Sequence, residues 1–232
     1  ISIKDFSKLN TYKIADMSHL FYCCKSLTVM PDISHWNTIS VTDFSYMFYN
    51  CQLITSLPDI SHWNTFSVTN LKCLFYNCFS LSYPPNISQW DTSEVSNMSY
   101  MFYSCEKLTN LPYISNLNTS KVKDISYMFY NCKSLKDLSN IGNWNLSKVE
   151  DMSHMFYNCE SLILLPDDGN WNTASLKDIQ KMFYNCESLV RLPSIISKIK
   201  TGKIINMSYL FYNCKSLLFM PDISKWGISS AK

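Results

Sequence analysis

The sequence is poor in glycine, in charged residues and in long apolar runs. It has four glycines in 232 residues, and Asp, Glu, Lys and Arg together make up 16% of it. It contains no Gly-rich phosphate-binding loop and no Gly-x-Ser-x-Gly motif. No apolar run reaches about 18 residues, so we expect no membrane insertion in this segment. A net charge of +2 provides no basic stripe, so we expect no nucleic-acid partner.

Histidine, the commonest general acid and base, is also scarce. The chain has only His19, His35, His62 and His154. Because general acid–base chemistry most often uses histidine, we predict a chain that is not an enzyme, without catalytic residues or a cofactor. His35 and His62 occupy equivalent repeat positions, each three residues after an aspartate, which is a conceivable metal site. Solvated turn surface explains the same pattern better, so we predict no metal.

One motif, Met-Phe-Tyr-Asn-Cys, recurs along almost the whole chain. Its phenylalanine stands at Phe21, Phe48, Phe75, Phe102, Phe129, Phe156, Phe183 and Phe211. The spacing is the same six times and one residue longer once, between Phe183 and Phe211. A fixed period between about 20 and 50 residues is typical of a solenoid, in which each turn of the chain packs only against its neighbours. We call each repeat a coil and each set of equivalent positions a column.

The apolar residues of one coil predict the core. In residues 41–67 they recur every three or four positions, at Val41, Phe44, Met47, Phe48, Cys51, Ile54, Leu57, Ile60 and Trp63. The segment at 152–159 has apolar residues at i, i+3, i+4 and i+7, which predicts a short helix capped by Asp151. Asn158 can adopt the left-handed conformation that ends a helix. The segment after each cysteine, such as 188–193, predicts a short strand that ends at its proline.

These segments together predict an α/β repeat solenoid. We expect a right-handed coil of about eight 27-residue turns, each with one short parallel strand and one short helix. It should cover residues 1–232 as a single domain. Since residue 1 falls within a repeat, we expect the chain to be a fragment of a longer protein.

The repeats resemble the BspA-like leucine-rich repeat family, whose copies carry Val-x-Asp-Met-Ser-x-Met-Phe-x-x-Cys. Residues 95–105 and 149–159 follow this motif closely, and the resemblance covers nearly the whole chain. It implies a leucine-rich-repeat solenoid of the kind found in surface and secreted proteins, where it serves attachment or recognition. It transfers no catalytic residues.

The predicted partner site is the strand face, where one side chain per coil points outward beside the proline column. These residues are Val29, Ser56, Tyr83, Asn110, Asp137, Leu164, Arg191 and Phe219. They vary while their neighbours repeat, which is expected of a surface chosen for binding a protein or glycan, although drift on an unused surface would look the same. The alternative function is a structural building block that self-associates through the solenoid ends into a filament or coat.

Two further columns have both a structural and a functional interpretation. Tyrosine fills one column completely, at Tyr22, Tyr49, Tyr76, Tyr103, Tyr130, Tyr157, Tyr184 and Tyr212. Stacked tyrosines can form a binding platform, but rings wedged between coils are the simpler interpretation. Cysteine fills another column, where we expect buried free thiols. The additional Cys73 belongs to a column that we expect to face outward and to be the most accessible thiol.

Overall fold

The computed structural model describes Phe6 and residues 9–167, 169, 171–192, 194–220 and 222–227. Equivalent residues of successive coils pair through parallel β-bridges. One row of bridges runs through a single Asp/Asn column: Asp16, Asp43, Asn70, Asn97, Asp124, Asp151, Asp178 and Asn206. Parallel pairing at one sequence period is the defining property of a solenoid, so this part of the prediction is confirmed.

The strand face has a second row of parallel bridges. Asn110 pairs with Asp137, Asp137 with Leu164, and Arg191 with Phe219. The pairing is parallel, as predicted, but within the described ranges it consists of isolated bridges and not of extended strands. Where a proline follows, as Pro112 does, it has no N–H to donate, so the ladder cannot continue. In the described coils, three short 3-10 helices follow the bridged residues, at Pro112–Asn116, Ser139–Ile141 and Ser194–Lys198.

The predicted short helix after the Asp/Asn column is wrong. In the coil at 41–67, the Tyr46 amide donates to the Lys72 carbonyl at 2.9 Å, and the Met47 amide donates to the Phe44 carbonyl at 3.2 Å. Amides therefore bond alternately to the next coil and three residues back, as in consecutive tight turns. No α-helix occurs in the part of the chain that the structure describes.

Positive backbone dihedrals explain why this segment cannot be helical. Tyr46 and Asn50 both have φ of 58°, and the equivalent residues of the other coils share this left-handed conformation. An α-helix of L-residues needs negative φ throughout. The conformation predicted for Asn158 is confirmed, with φ of 56°, but it ends a turn and not a helix. Asp151 is likewise no helix cap, although its Oδ1 does accept the Ser153 N–H at 2.7 Å.

The core is continuous from coil to coil. The buried apolar residues form one cluster from Met17 to Leu210. All nine columns predicted from residues 41–67 face inward, and of those nine residues only Leu57 is half-buried. The phenylalanine rings stack on each other with centroids 5.3 to 6.0 Å apart. Each coil therefore buries its apolar side chains against the coils above and below it.

Several polar side chains in the core donate hydrogen bonds to carbonyls of neighbouring coils. The Trp63 Nε1–H donates to the Ile33 carbonyl at 3.2 Å, and the Cys51 thiol donates to the Phe21 carbonyl at 3.2 Å. The Thr65 hydroxyl donates to the Asp91 carbonyl at 2.9 Å. Since a buried polar group without a partner costs about 1–3 kcal/mol, these bonds allow Trp, Cys and Thr to form internal columns. The threonine column was not anticipated from the sequence.

The accessibility predicted for Cys73 is wrong. Cys73 is 4% exposed, and burial raises the pKa of its thiol to about 11. It is smaller than Tyr46 and Tyr100, the neighbours above and below it in its column, so their rings cover it. Cys23 is the exposed thiol of the described chain, whereas Cys132 and Cys159 are buried and unpaired as predicted.

Candidate interaction surface

The strand face presents a column of exposed side chains between buried ones. Val29 is 77% exposed, Tyr83 68% and Phe219 66%, whereas Leu81 and Leu135, in the column two residues earlier, are fully buried. The other predicted partner-binding residues, Ser56, Asn110, Asp137, Leu164 and Arg191, are exposed as well. The bridges between Asn110, Asp137 and Leu164 place consecutive members directly beside each other. The outward positions therefore form one continuous strip along the solenoid.

Shallow clefts open beside this strip. One of about 290 Å³ is lined by residues 28–30 and 55–58, and another of about 160 Å³ lies beside Asn110 and Asp137. Both lie between adjacent coils at the proline column. Pockets that enclose a small molecule usually have volumes of about 300 Å³ or more. The clefts therefore suit a partner that lies across the face better than a deeply enclosed small molecule.

The strip differs between its two ends. In the coils before residue 140, the column next to it is polar, with Thr28, Thr55, Ser82, Thr109 and Lys136. In later coils that column holds Ile163, Val190 and Leu218, which are 47%, 40% and 72% exposed. Together with Leu164 and Phe219 they form an apolar patch. Exposed apolar patches are typical of interaction sites. The sequence could have predicted this patch only if two adjacent columns had been compared together.

Arg191 lies within the apolar patch and is already paired. Its guanidinium donates to the Asp167 carboxylate, and both side chains are largely exposed. An exposed ion pair contributes only about 0–1 kcal/mol, so Arg191 remains available to a partner at little cost. Tyr83 has no such bond in the described chain, and its ring projects from the polar part of the strip.

The tyrosine column forms a second continuous surface. Its eight rings stack in sequence with centroids 4.3 to 4.7 Å apart and interplanar angles of 2 to 14°. We call this column, from Tyr22 to Tyr212, the tyrosine ladder. Because each inner ring has both faces covered by its neighbours, the ladder presents ring edges and not faces. It is therefore poorly suited to stacking against a planar ligand.

The Asp/Asn column contains three consecutive carboxylates, Asp124, Asp151 and Asp178. Burial, and secondarily the charge of Asp124, raise the pKa of Asp151. Burial, followed by the charge of Asp151, raises the pKa of Asp178, while its bond from the Gln180 amide works against the shift. The charges of Asp151 and Asp178 are therefore less favourable in the folded chain than in the unfolded one.

Replacing Asp151 by asparagine should raise the melting temperature at neutral pH. A raised folded-state pKa means that ionisation favours unfolding, so the wild type loses stability as pH rises through that pKa. Towards pH 3, where the carboxyl is largely protonated in both states, the advantage of Asp151→Asn should disappear. The variant keeps the Oδ1 acceptor, as Asn97 shows with its bond from the Ser99 amide at 2.8 Å.

Asp32→Asn is the matched control. Hydrogen bonds from the hydroxyl and amide of Ser34 lower the pKa of Asp32, so its replacement should lower the melting temperature at neutral pH. Thermal unfolding followed at pH 3 to 8 measures both effects. An Asp151→Asn variant less stable than wild type at pH 7 would contradict the assignment.

The suggested histidine and aspartate metal site is not assembled. His35 Nε2 lies 3.7 Å from Asp32 Oδ2, and both side chains are largely exposed. In the described ranges no group of three His, Cys, Asp or Glu side chains is positioned to hold a metal ion. Nor does the described chain contain a helix long and apolar enough to cross a membrane.

The fold defines the class of protein. It is a repeat solenoid in which a continuous core supports columns of exposed side chains. The chain belongs to the family DUF285, which is described as a Mycoplasma protein of unknown function. The family model matches residues 1–107, 80–192 and 164–232, which together span the sequence. The comparison with curated proteins found no match to this sequence.

Several solved structures share a limited similarity with this chain. A leucine-rich cell surface protein from Faecalibacterium prausnitzii is 18% identical with a TM-score of 0.34, over 88% of this chain and 75% of that one. A leucine-rich repeat protein from Bacteroides ovatus is 17% identical with a TM-score of 0.27, over 93% and 70%. An internalin from Listeria monocytogenes is 15% identical with a TM-score of 0.25, over 84% and 76%. At such scores these similarities carry no argument, and the fold assignment rests on the bridges.

Proposed function

We propose that this chain is a non-enzymatic recognition module, of the BspA-like leucine-rich repeat type, that binds a protein or glycan through its strand face. One observation carries the proposal: the outward strip is exposed along the solenoid, while the columns two residues before it and one residue after it are largely buried in the core. Val29, Tyr83 and Phe219 are each more than 60% exposed. Large side chains with so little packing contribute little to folding, which makes them candidates for contact with a partner.

The chemistry of the strip favours an extended partner. Its first part combines polar side chains with Tyr83, and its last part is the apolar patch around Arg191. Tyrosine and arginine are enriched among the residues that contribute about 2 kcal/mol or more to interfaces. We place the module at the cell surface or in a secreted protein, as the resemblance to the BspA-like family implies.

Replacing Tyr83 and Arg191 together by alanine should abolish binding to a partner isolated by pull-down. Each loss is expected to weaken binding by roughly 2 kcal/mol, or about thirtyfold. The melting temperature should stay nearly unchanged, because both side chains are exposed and the Arg191–Asp167 pair contributes little. Titration calorimetry with the purified partner measures the first effect, and thermal unfolding measures the second.

The matched control replaces Tyr12 and Lys203, an exposed tyrosine and an exposed cation away from the strip, by alanine. This variant should bind like the wild type. Binding that survives Tyr83→Ala with Arg191→Ala, but fails after Tyr103→Ala with Tyr130→Ala, would place the site on the tyrosine ladder. Light scattering tests the structural alternative, since a building block would self-associate at high concentration whereas a recognition module would stay monomeric.

A further inference from the structure

The tyrosine ladder is a closely and evenly stacked column of phenol rings. The centroid separations of its seven consecutive contacts range only from 4.3 Å at Tyr76–Tyr103 to 4.7 Å at Tyr22–Tyr49. From Phe21 to Phe183 the phenylalanine column buries its rings, but the ladder tyrosines are half-buried or exposed. Solvent therefore reaches the ring edges of neighbouring phenols that already touch.

We propose that the tyrosine ladder is a site of oxidative cross-linking, at which neighbouring coils are joined by dityrosine bonds when the chain meets a peroxide-driven one-electron oxidant. Each bond would join the ladder tyrosine of one coil to its counterpart in the next, as Tyr130 to Tyr157. The ladder then supplies up to one covalent connection between each pair of adjacent coils that it spans.

The chemistry balances with hydrogen peroxide and a peroxidase as the oxidant. Each of two neighbouring phenols gives one electron to the enzyme and its hydroxyl proton to water, which leaves two phenoxyl radicals. The radicals pair through the carbons ortho to oxygen, and a carbon–carbon bond forms. The hydrogen on each of these carbons then moves to oxygen, which restores both phenols. Overall the pair loses two hydrogen atoms, and one peroxide becomes two water molecules.

Proximity makes this reaction faster in the ladder than between tyrosines on separate molecules. Groups held in contact react as if present at very high effective concentration. An inner tyrosine has a ring neighbour on both sides, so a radical formed anywhere along the ladder lies beside a possible partner. Burial and neighbouring phenols raise the pKa of Tyr49, Tyr130 and Tyr184, so these groups are neutral at pH 7 and release a proton on oxidation.

Thiols compete with this coupling because they reduce phenoxyl radicals. Cys23 is exposed next to Tyr22 in sequence, whereas the ladder between Tyr103 and Tyr184 is far from it in the repeat order. The experiment therefore uses a Cys23→Ser chain. It treats the dilute, monomeric protein with peroxidase and hydrogen peroxide, and measures dityrosine fluorescence in the monomer fraction. Mass spectrometry then identifies the joined peptides, each lighter by two hydrogen atoms.

We expect cross-links between ladder neighbours, such as Tyr130 with Tyr157. A variant in which Tyr49, Tyr103, Tyr157 and Tyr212 are phenylalanine keeps stacked rings but separates the remaining ladder tyrosines. Tyr100 and Tyr127 stack on each other outside the ladder at 4.5 Å, so both are also changed to phenylalanine in this variant. Its dityrosine yield should fall roughly tenfold, because no two stacked phenols remain among the described residues. The control carries the same changes at Tyr100 and Tyr127, together with Tyr12, Tyr83, Tyr113 and Tyr209 in place of the four ladder residues. It should keep most of the wild-type yield, because the ladder is intact.

The positions of the cross-links keep the proposal testable even where the phenylalanine variant folds poorly. Thermal unfolding of that variant before oxidation shows whether the solenoid is retained. Apart from Tyr100 with Tyr127, which also stack, cross-links in the Cys23→Ser chain that mainly join tyrosines outside the ladder, or that join separate molecules, would overturn the proposal. So would an unchanged yield in a folded phenylalanine variant.

Discussion

Replacing Phe129 by alanine is expected to lower the free energy of unfolding by about 3 to 5 kcal/mol, and replacing Phe21 to lower it less. The Phe129 ring is fully buried and stacks between Phe102 at 6.0 Å and Phe156 at 5.8 Å. Its loss leaves a cavity in the middle of the core and weakens two interfaces between coils. In a linear array stability is approximately a sum over such interfaces, so a central interruption affects both halves.

Phe21 lies in the first described coil that carries the motif. It stacks on Phe48 at 5.6 Å, and on its other side the described residues provide the tilted ring of Phe6 at 5.9 Å. We therefore expect Phe21→Ala to fray the end of the array with a smaller global effect. Urea denaturation of the two variants measures the difference, and Phe66→Ala, at a 64% exposed site, is the control with an effect within about 0.5 kcal/mol. Equal losses at Phe129 and Phe21 would mean that the chain does not behave as a linear array.

Replacing Trp144 by phenylalanine is expected to cost about 2 to 4 kcal/mol. Trp144 is 1% exposed, and its Nε1–H donates to the Ile114 carbonyl at 3.0 Å. Phenylalanine removes this donor, leaves a buried carbonyl with one bond fewer, and opens a cavity the size of the lost ring. The two terms act together because the site has coils on both sides and cannot collapse freely.

Trp226→Phe is the matched control for this change. Trp226 is half-buried, and its Nε1 has no hydrogen-bond partner among the described residues. Its replacement removes no bond, so the loss should be clearly smaller than at Trp144. Chemical denaturation of both variants gives the comparison. A cost at Trp226 equal to that at Trp144 would show that the indole bond between coils contributes nothing.

The period and the inward columns could be predicted from the sequence because packing fixes both. A residue such as Phe129 must meet its counterparts one repeat away, so the repeat shows directly which residues stack. The exposed strip was found for the complementary reason. Val29 and Tyr83 differ in size and chemistry and yet occupy one column, so packing does not determine which residues stand in that column. What the strip binds stays a prediction.

The helix could not be excluded from the sequence because spacing alone does not determine dihedrals. Apolar residues at Met152, Met155, Phe156 and Cys159 fit one face of a helix and equally well the inward positions of consecutive turns. The left-handed conformation of His154 and Asn158 excludes a helix here. A histidine in a sequence does not indicate this conformation. Bonds between coils then replace the bonds that a helix would make within itself.

Cys73 shows a different limit of column reasoning. A column defines a direction, but the exposure of one member depends on the size of its neighbours. Cys73 has tyrosine above and below it and is covered, while Cys23, in the first coil that carries the motif, is exposed. The apolar patch was missed for a related reason. Ile163 and Leu218 belong to the column next to the strip, and they form a patch only together with the apolar residues of the strip.

The distance between points on the strip tests the solenoid most directly. Spin labels at Val29 and Leu164, or at Val29 and Phe219, are introduced through cysteines in a Cys23→Ser chain, where the remaining thiols are at least partly buried. The pairs lie five and seven coils apart, so at about 4.8 Å per coil the account predicts backbone separations of roughly 24 Å and 34 Å. A Val29–Phe219 distance equal to or shorter than the Val29–Leu164 distance would contradict a linear stack of parallel coils.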